Sequence, residues 1–268
     1  MASASNDARD RRVFRIVLPL LTLAIGICAW DLIVAINDIP PYILPGPKLV
    51  AQTLISDRTL LWESLFVTLT TTFEALLLAL VGGVGLAILF SQSKILEYSL
   101  YPYAVILQVT PIVAIAPLLL IYLPQHTAVL ACAGIVAFFP VLSNTTFGLN
   151  SVDHNLSDLF ELYGASRLQR LLHLKLPAAL PHLLSGLKIA GGLALIGAVV
   201  AELAAGASGA GSGLAYRIAE SGYRLNIPRM FAALILLSGA GVAIFFALSY
   251  LSDALLRHWH ESATERER

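Results

Sequence analysis

Long apolar runs separated by short polar breaks organise this chain. Runs at about 15–36, 65–90, 100–123, 127–149, 183–205 and 230–256 are almost free of charge. Each is close to the ~20 residues an α-helix needs to cross about 30 Å of hydrocarbon. The pattern predicts an all-α, polytopic membrane protein with about six transmembrane helices over residues 15–256. Residues 1–14, MASASNDARDRRVF, are polar and read as a disordered lead-in, and 257–268, RHWHESATERER, as a charged tail. After the first run, INDIPPYILPGPK places Pro40, Pro41, Pro45 and Pro47 in one linker. Proline removes a backbone donor and disfavours helix before it, so this stretch cannot be continuous helix. Residues 49–61 then read as an amphipathic surface helix. The third run is interrupted at Pro111 and Pro117, which predicts kinks or an unwound stretch. One polar break, 150–181, is longer than the others and separates the fourth and fifth runs.

Composition agrees with the bilayer assignment. Of 268 residues 57% are hydrophobic and 13% charged, with mean hydropathy +0.79, against about 25% charge in an ordinary soluble domain. Net charge is zero, which offers a nucleic acid no electrostatic footprint. The placement of charge carries more. With six spans, both termini and 150–181 share one side. That side collects Arg9, Arg11, Arg12, Arg15, Lys94, Arg167, Arg170, Lys175, Lys188, Arg257, Arg266 and Arg268, while Lys48, Arg58, Arg217, Arg224 and Arg229 fall opposite. The basic excess marks the first side as cytoplasmic. Arg11-Arg12 ahead of an apolar run is reminiscent of a twin-arginine export signal, but the run is long and has no small-x-small cleavage site, so it reads as an uncleaved helix. Cys28 and Cys132 lie in different runs and read as small buried hydrophobes. The six histidines form no HExxH or Cys/His cluster that would point to a metal. There is no GxxxxGK[ST] phosphate loop, and the glycine-rich stretch 209–213 lies between apolar helices rather than after a strand. The chain is therefore expected to hold no cofactor and not to be an enzyme.

Segment 150–181 reads as two short helices at an angle. Asp153, His154 and Asn155 suit a helix start, with a first helix at about 156–163. Gly164 ends it, since glycine accepts left-handed angles. Ser166 caps a second helix at about 167–174, and Pro177 and Pro181 are expected to bend the chain back into the membrane. Leu159, Phe160, Leu162 and Tyr163 supply apolar bulk. By these residues alone the segment is either a docking element for a soluble partner or an amphipathic loop on the headgroups. Its spacing resembles the EAA motif of ABC-type importer permeases: Glu-Ala-Ala, three residues, Gly, nine residues, Ile-x-Leu-Pro. Gly164 stands at the glycine, Leu174, Leu176 and Pro177 at the later positions, and Asp158, Leu159 and Phe160 at the Glu-Ala-Ala places. The acid is kept as Asp and the two alanines are replaced. The stretches GASRLQRLLHLKLPAALPHLLSGLKIAGGLALIGAVVAEL and TPIVAIAPLLLIYL, and residues 211–259, are similar to the nitrate/sulfonate/taurine branch of that family.

The resemblance implies a homodimer of six-helix permeases in a bacterial inner membrane, with cytoplasmic termini. It further implies two ATPase subunits that bind ATP and Mg, and a separate solute-binding protein. It makes Asp158, Leu159, Phe160, Glu161, Gly164, Ala165, Ser166, Leu174, Leu176 and Pro177 the residues that couple to the ATPase. Branch members carry inorganic anions, sulfonates and heteroaromatics. The wording PIVAIAPLL and YRLNIPRMFAALILL leans towards a heteroaromatic such as a pyrimidine precursor of thiamine, with alkanesulfonate, taurine or nitrate as alternatives.

Intramembrane acids are costly and invite a role. Glu74 in the second run and Glu202 near the outer end of the fifth are candidates for lining the path, set against an interfacial position for Glu74 and a structural hydrogen bond for Glu202. Gln108, Thr110 and Pro111 can expose polar groups beside the path, and Asn144 can add to its lining. A secondary transporter that used Glu74 or Glu202 as coupling acid is the competing class. A membrane enzyme has no nucleophile–base pair to support it.

Overall fold

The computed structural model describes residues 2–206 and 211–257, with side chains in the first helix from residue 17 onward. The charged tail expected from 258 lies outside the described residues, as do 207–210 of the glycine-rich loop. Among the described residues the structure is helical: α1 (Ala2–Ile36), α2 (Pro47–Ser56), α3 (Arg58–Gln92), α4 (Lys94–Val109), α5 (Ile112–Tyr122), α6 (Gln125–Asn150), α7 (His154–Leu162), α8 (Arg167–Arg170), a π-helical turn (Leu171–Lys175), α9 (Leu176–Ala205), α10 (Leu214–Tyr223) and α11 (Ile227–Leu256). Five helices are long and apolar enough to cross a membrane, and six spans result if the bent pair α4–α5 counts as one.

α1 begins at Ala2. The third run carries the unwound stretch expected at Pro111. Its halves meet at 98°, because Thr110, placed before a proline, and Pro111 both adopt extended angles, whereas Pro117 is carried inside α5. Pro177 and Pro181 do not turn the chain. Pro177 falls in the first turn of α9 and Pro181 inside it. Pro177 enters a helix that already runs on from α8, and the wider π turn just before it gives the ring room.

The chain divides into two compact units, Met1–Leu61 with Ile218–Leu234, and Trp62–Arg217 with Ile235–Arg268. In the first, the Trp30 and Phe231 rings lie 5.7 Å apart, and the Arg229 guanidinium donates to the Asp57 carboxylate at the start of α3. Val17 to Ile36 of α1 is apolar on all sides and exposed within the chain, as suits a helix solvated by lipid.

The second unit is built on α6 against α9. Its core is mostly alanine: Ala75, Ala79, Ala133, Ala137, Ala190, Ala194, Ala198 and Ala201, with Cys132 and Val141. In lipid, apolar side chains gain nothing by leaving their solvent, so helices associate through close packing of small residues. Three glycines set the approach. A Cβ at Gly148 would lie 2.8 Å from the Ala179 backbone, one at Gly186 2.7 Å from the Pro140 carbonyl, and one at Gly197 2.8 Å from Ala133 Cα. The pairs run in opposite directions along the two helices, which makes the contact antiparallel over its whole length.

This seam yields a paired test. Gly197→Val drives a side chain into the α6 backbone and is expected to cost about 1–3 kcal/mol. Gly192→Ala, where an added Cβ meets nothing within 4 Å, is expected to be neutral or to gain up to about 1 kcal/mol of helix propensity. Thermal unfolding of the detergent-solubilised chain checks both, with the midpoint lowered only by the first.

Candidate coupling site and solute path

The coupling segment is held together by local hydrogen bonds that its sequence anticipates. Asp153 accepts from the Asn155 amide at 2.8 Å and caps α7. Gly164 takes φ +67°, and the Ala165 amide returns to the Phe160 carbonyl at 2.9 Å. Ser166 and Gln169 form a capping box at the start of α8, each side chain satisfying an amide the helix leaves free. Glu161 on α7 faces Arg170 on α8 at 3.7 Å, a solvent-screened pair of small energetic weight. The turn is thus fixed by backbone geometry and caps more than by charge.

Its surface is divided. Leu162 and Tyr163 are 85% and 84% exposed. Leu159, Phe160, Tyr163, Ala165, Gln169 and His173 line one open groove between the two arms, so three of the expected coupling residues share a concave apolar face. Asp158 is exposed beside them. Leu174 and Leu176 behave differently. Leu174 is buried, and Leu176 packs against the cluster of Phe90, Leu142, Leu149 and Leu171. These positions, with Pro177 in the first turn of α9, fasten the segment to the bundle and leave display to the α7 side.

From α8 the helix continues through the π turn into α9, giving a helical stretch of 39 residues. At 1.5 Å per residue that is about 58 Å, roughly twice the hydrocarbon thickness. The Gly164 turn therefore stands at one end of a helical stretch whose other end carries Glu202.

Glu202 is 5% exposed and embedded in donors. Thr68 of α3 gives its hydroxyl proton to Oε1 at 2.8 Å, and the Ala215 amide donates to Oε2 at 3.1 Å. The Leu214 amide donates to Thr68 Oγ1 at 2.8 Å. Leu214 and Ala215 open α10, whose first amides have no partner within the helix. Here two other helices supply the cap, and the carboxyl sits at the favourable end of the α10 dipole. Gly213 is required for the fit, because a Cβ there would fall 2.1 Å from the carboxyl group. Arg217 donates to Ser64 Oγ at 3.1 Å on the same flank.

A cleft of about 280 Å³ opens beside this node, lined by Val67, Thr71, Gln125, His126, Val129, Glu202, Gly211 and Gly213. His126 also meets Glu74 at 3.2 Å. The structure therefore brings Glu202 and, through His126, Glu74 to one cleft. The other path candidates lie elsewhere. Gln108, Thr110 and Pro111 form the α4–α5 elbow, where Thr110 returns its hydroxyl to the Ile106 carbonyl at 2.6 Å. Asn144 donates to the Pro140 carbonyl at 2.8 Å and abuts Gly186 in the α6–α9 seam, where it packs two helices together. Thr68, Gln125 and His126 were absent from the sequence-derived candidates. The run of threonines at 68 and 70–72 was the available signal for the first; nothing local marks the other two.

With this geometry in view, similarity to known proteins becomes specific. Residues 79–258 match the family described as "Binding-protein-dependent transport system inner membrane component". The chain is 34% identical over 238 residues to a probable ABC transporter permease protein of Haemophilus influenzae, covering 88% of this chain and 96% of that one. It is 31% identical over 248 residues to the formylaminopyrimidine transport permease protein ThiX of Halalkalibacterium halodurans, covering 92% and 97%. Among solved structures, an amino acid ABC transporter crystallised with histidines superposes with a TM-score of 0.62 at 18% identity, covering 77% of this chain and 97% of that chain, which supports the fold. The chain belongs to the binding-protein-dependent transport system inner membrane component family and is an ABC importer permease, a transport subunit of a family whose members work with an ATP-binding subunit and a solute-binding protein.

Proposed function

We propose that this permease works as a homodimer with cytoplasmic termini, and that its 150–181 segment seats in a separate ATPase subunit, one per permease copy, which binds the ATP and Mg. The observation that carries this reading is the α7–Gly164–α8 elbow, which is capped on both arms, apolar and exposed on its outer face, and continuous with α9. Closure of the ATPase pair would move the elbow as a rigid body, and the continuous helix passes that motion to the bundle. ATP biases the equilibrium because it binds the closed ATPase pair preferentially. Asp158, Leu159, Phe160 and Ala165 are assigned to the contact, Gly164 and Ser166 to its shape, and Leu174, Leu176 and Pro177 to its attachment.

For the solute, the cleft beside Glu202 favours a molecule rich in N–H donors. Glu202 already receives only donors and keeps further lone pairs, and the Thr71 hydroxyl, spent on the Val67 carbonyl at 3.1 Å, leaves its oxygen free to accept. Nitrate and the sulfonate group of taurine bring acceptors to the Glu202 carboxylate and the Thr71 oxygen. An aminopyrimidine brings donors and a flat apolar ring for Val67 and Val129. The ThiX likeness points the same way.

Two measurements follow. Gly164→Val places a β-branched residue at positive φ, a cost of about 1–2 kcal/mol. It should leave the chain inserted and reduce ATPase co-purification roughly tenfold, whereas Gly164→Asn, which tolerates these angles, should keep most of it. Wild-type recovery with valine would remove the turn from the coupling site. Separately, cells expressing the complete system should accumulate labelled aminopyrimidine and not taurine. Glu202→Gln should cut that uptake roughly tenfold with ATPase co-purification unchanged. Taurine uptake at an equal rate would reverse the solute assignment.

A further inference from the structure

At the opposite end of the bundle from Glu202 lies a second cleft, of about 320 Å³, on the near side of the coupling element. The last turns of α3 and α6 form its floor, and α7, α8 and the π turn form its walls. Arg167, Arg170 and Lys175 line it together with His154, Ser157 and Asn150, and no carboxylate does. The three cations are poorly compensated. Arg167 has no ion pair among the described residues. Arg170 reaches only the well-exposed Glu161 at 3.7 Å. Lys175 donates to the Ser91 carbonyl at 3.4 Å, while Lys94 and Arg170 act on it as like charges. Lys94 is itself drawn to Glu97 at 2.6 Å and offers Lys175 no relief.

Converging cations without a counter-ion define an anion site, and the guanidinium forks suit the oxygens of a phosphate. Depth narrows the source. The cleft sits where α3 and α6 end, and α6 at 26 residues is about 39 Å long, so its end emerges just beyond the ~30 Å hydrocarbon slab. That is the level of lipid phosphates, where basic pockets between helices bind acidic headgroups. We infer that this cleft binds a phosphate group, supplied by an anionic phospholipid headgroup, between the spanning helices and the coupling elbow. A phosphate held there sets a negative charge among three cations and ties α8 to the ends of α3 and α6, setting how freely the elbow moves. This inference does not depend on the identity of the solute.

The test uses the full-length chain, delipidated in detergent and returned to phosphatidylglycerol or phosphatidylcholine, with bound lipid read by native mass spectrometry. Wild type should retain phosphatidylglycerol, and the Arg167→Gln/Lys175→Gln double variant should retain roughly tenfold less or lower still. Phosphatidylcholine retention should be alike in both. Arg167→Lys/Lys175→Arg, which keeps the charge, should restore retention and so separates lost binding from lost folding. Inorganic phosphate should compete with phosphatidylglycerol; competition by phosphate with no preference for the lipid would overturn the lipid source. Equal phosphatidylglycerol retention by wild type and double variant overturns the site. Equal retention coupled with lost ATPase co-purification would give these cations to a carboxylate of the ATPase instead.

Discussion

Everything in the second unit depends on how closely α6 and α9 approach. Lipid provides no hydrophobic force between helices, so the contact must come from backbone meeting backbone. Gly148, Gly186 and Gly197 permit that along the seam, and the alanines of both helices fill what remains. The cost of a single misplaced Cβ there is steric and has no outlet, because the opposing atoms at these three positions are largely backbone. The seam fixes the position of α9, which joins the 150–181 elbow to Glu202.

One end leads without a break into the coupling elbow, and the other presents Glu202. A proline-induced bend between them would have decoupled the two. Instead the π turn before Pro177 makes room for its ring, and the helix runs on from the elbow. At the Glu202 end the helix is tied to α3 through Thr68 and to α10 through the Leu214 and Ala215 amides. The carboxyl group thereby serves the architecture and the cleft at once. It caps a helix it does not belong to, and the lone pairs left over face the cleft.

The two ends of the bundle have opposite chemistry. Around Glu202 the cleft is rich in acceptors, and the basic groups near it are engaged, His126 with Glu74 and Arg217 with Ser64. Behind the elbow the cleft is cationic and lacks carboxylates. The proposed solute path at one face and the proposed phosphate site at the other are compatible in one subunit because the alanine-rich seam between them is apolar.

The residues by themselves determined what depends on a few neighbours along the chain: the spans, the extended break at Thr110-Pro111, the left-handed Gly164, and the Asp153 and Ser166 caps. Those follow from backbone sterics and hydrogen bonds reaching at most four residues, so sequence spacing is sufficient to read them. The same locality misled at Pro177 and Pro181, where the outcome rested on the π turn accommodating a ring that local rules would use to end a helix. It also does not show that Asn144 abuts Gly186 in the seam or that Leu174 and Leu176 pack into the core. Thr68 and Glu202 are 134 positions apart, and Glu74 and His126 lie on separate helices. No periodicity links such pairs; only the packed bundle decides which polar group meets which, because in a medium without water each buried one must find its partner wherever the fold brings it.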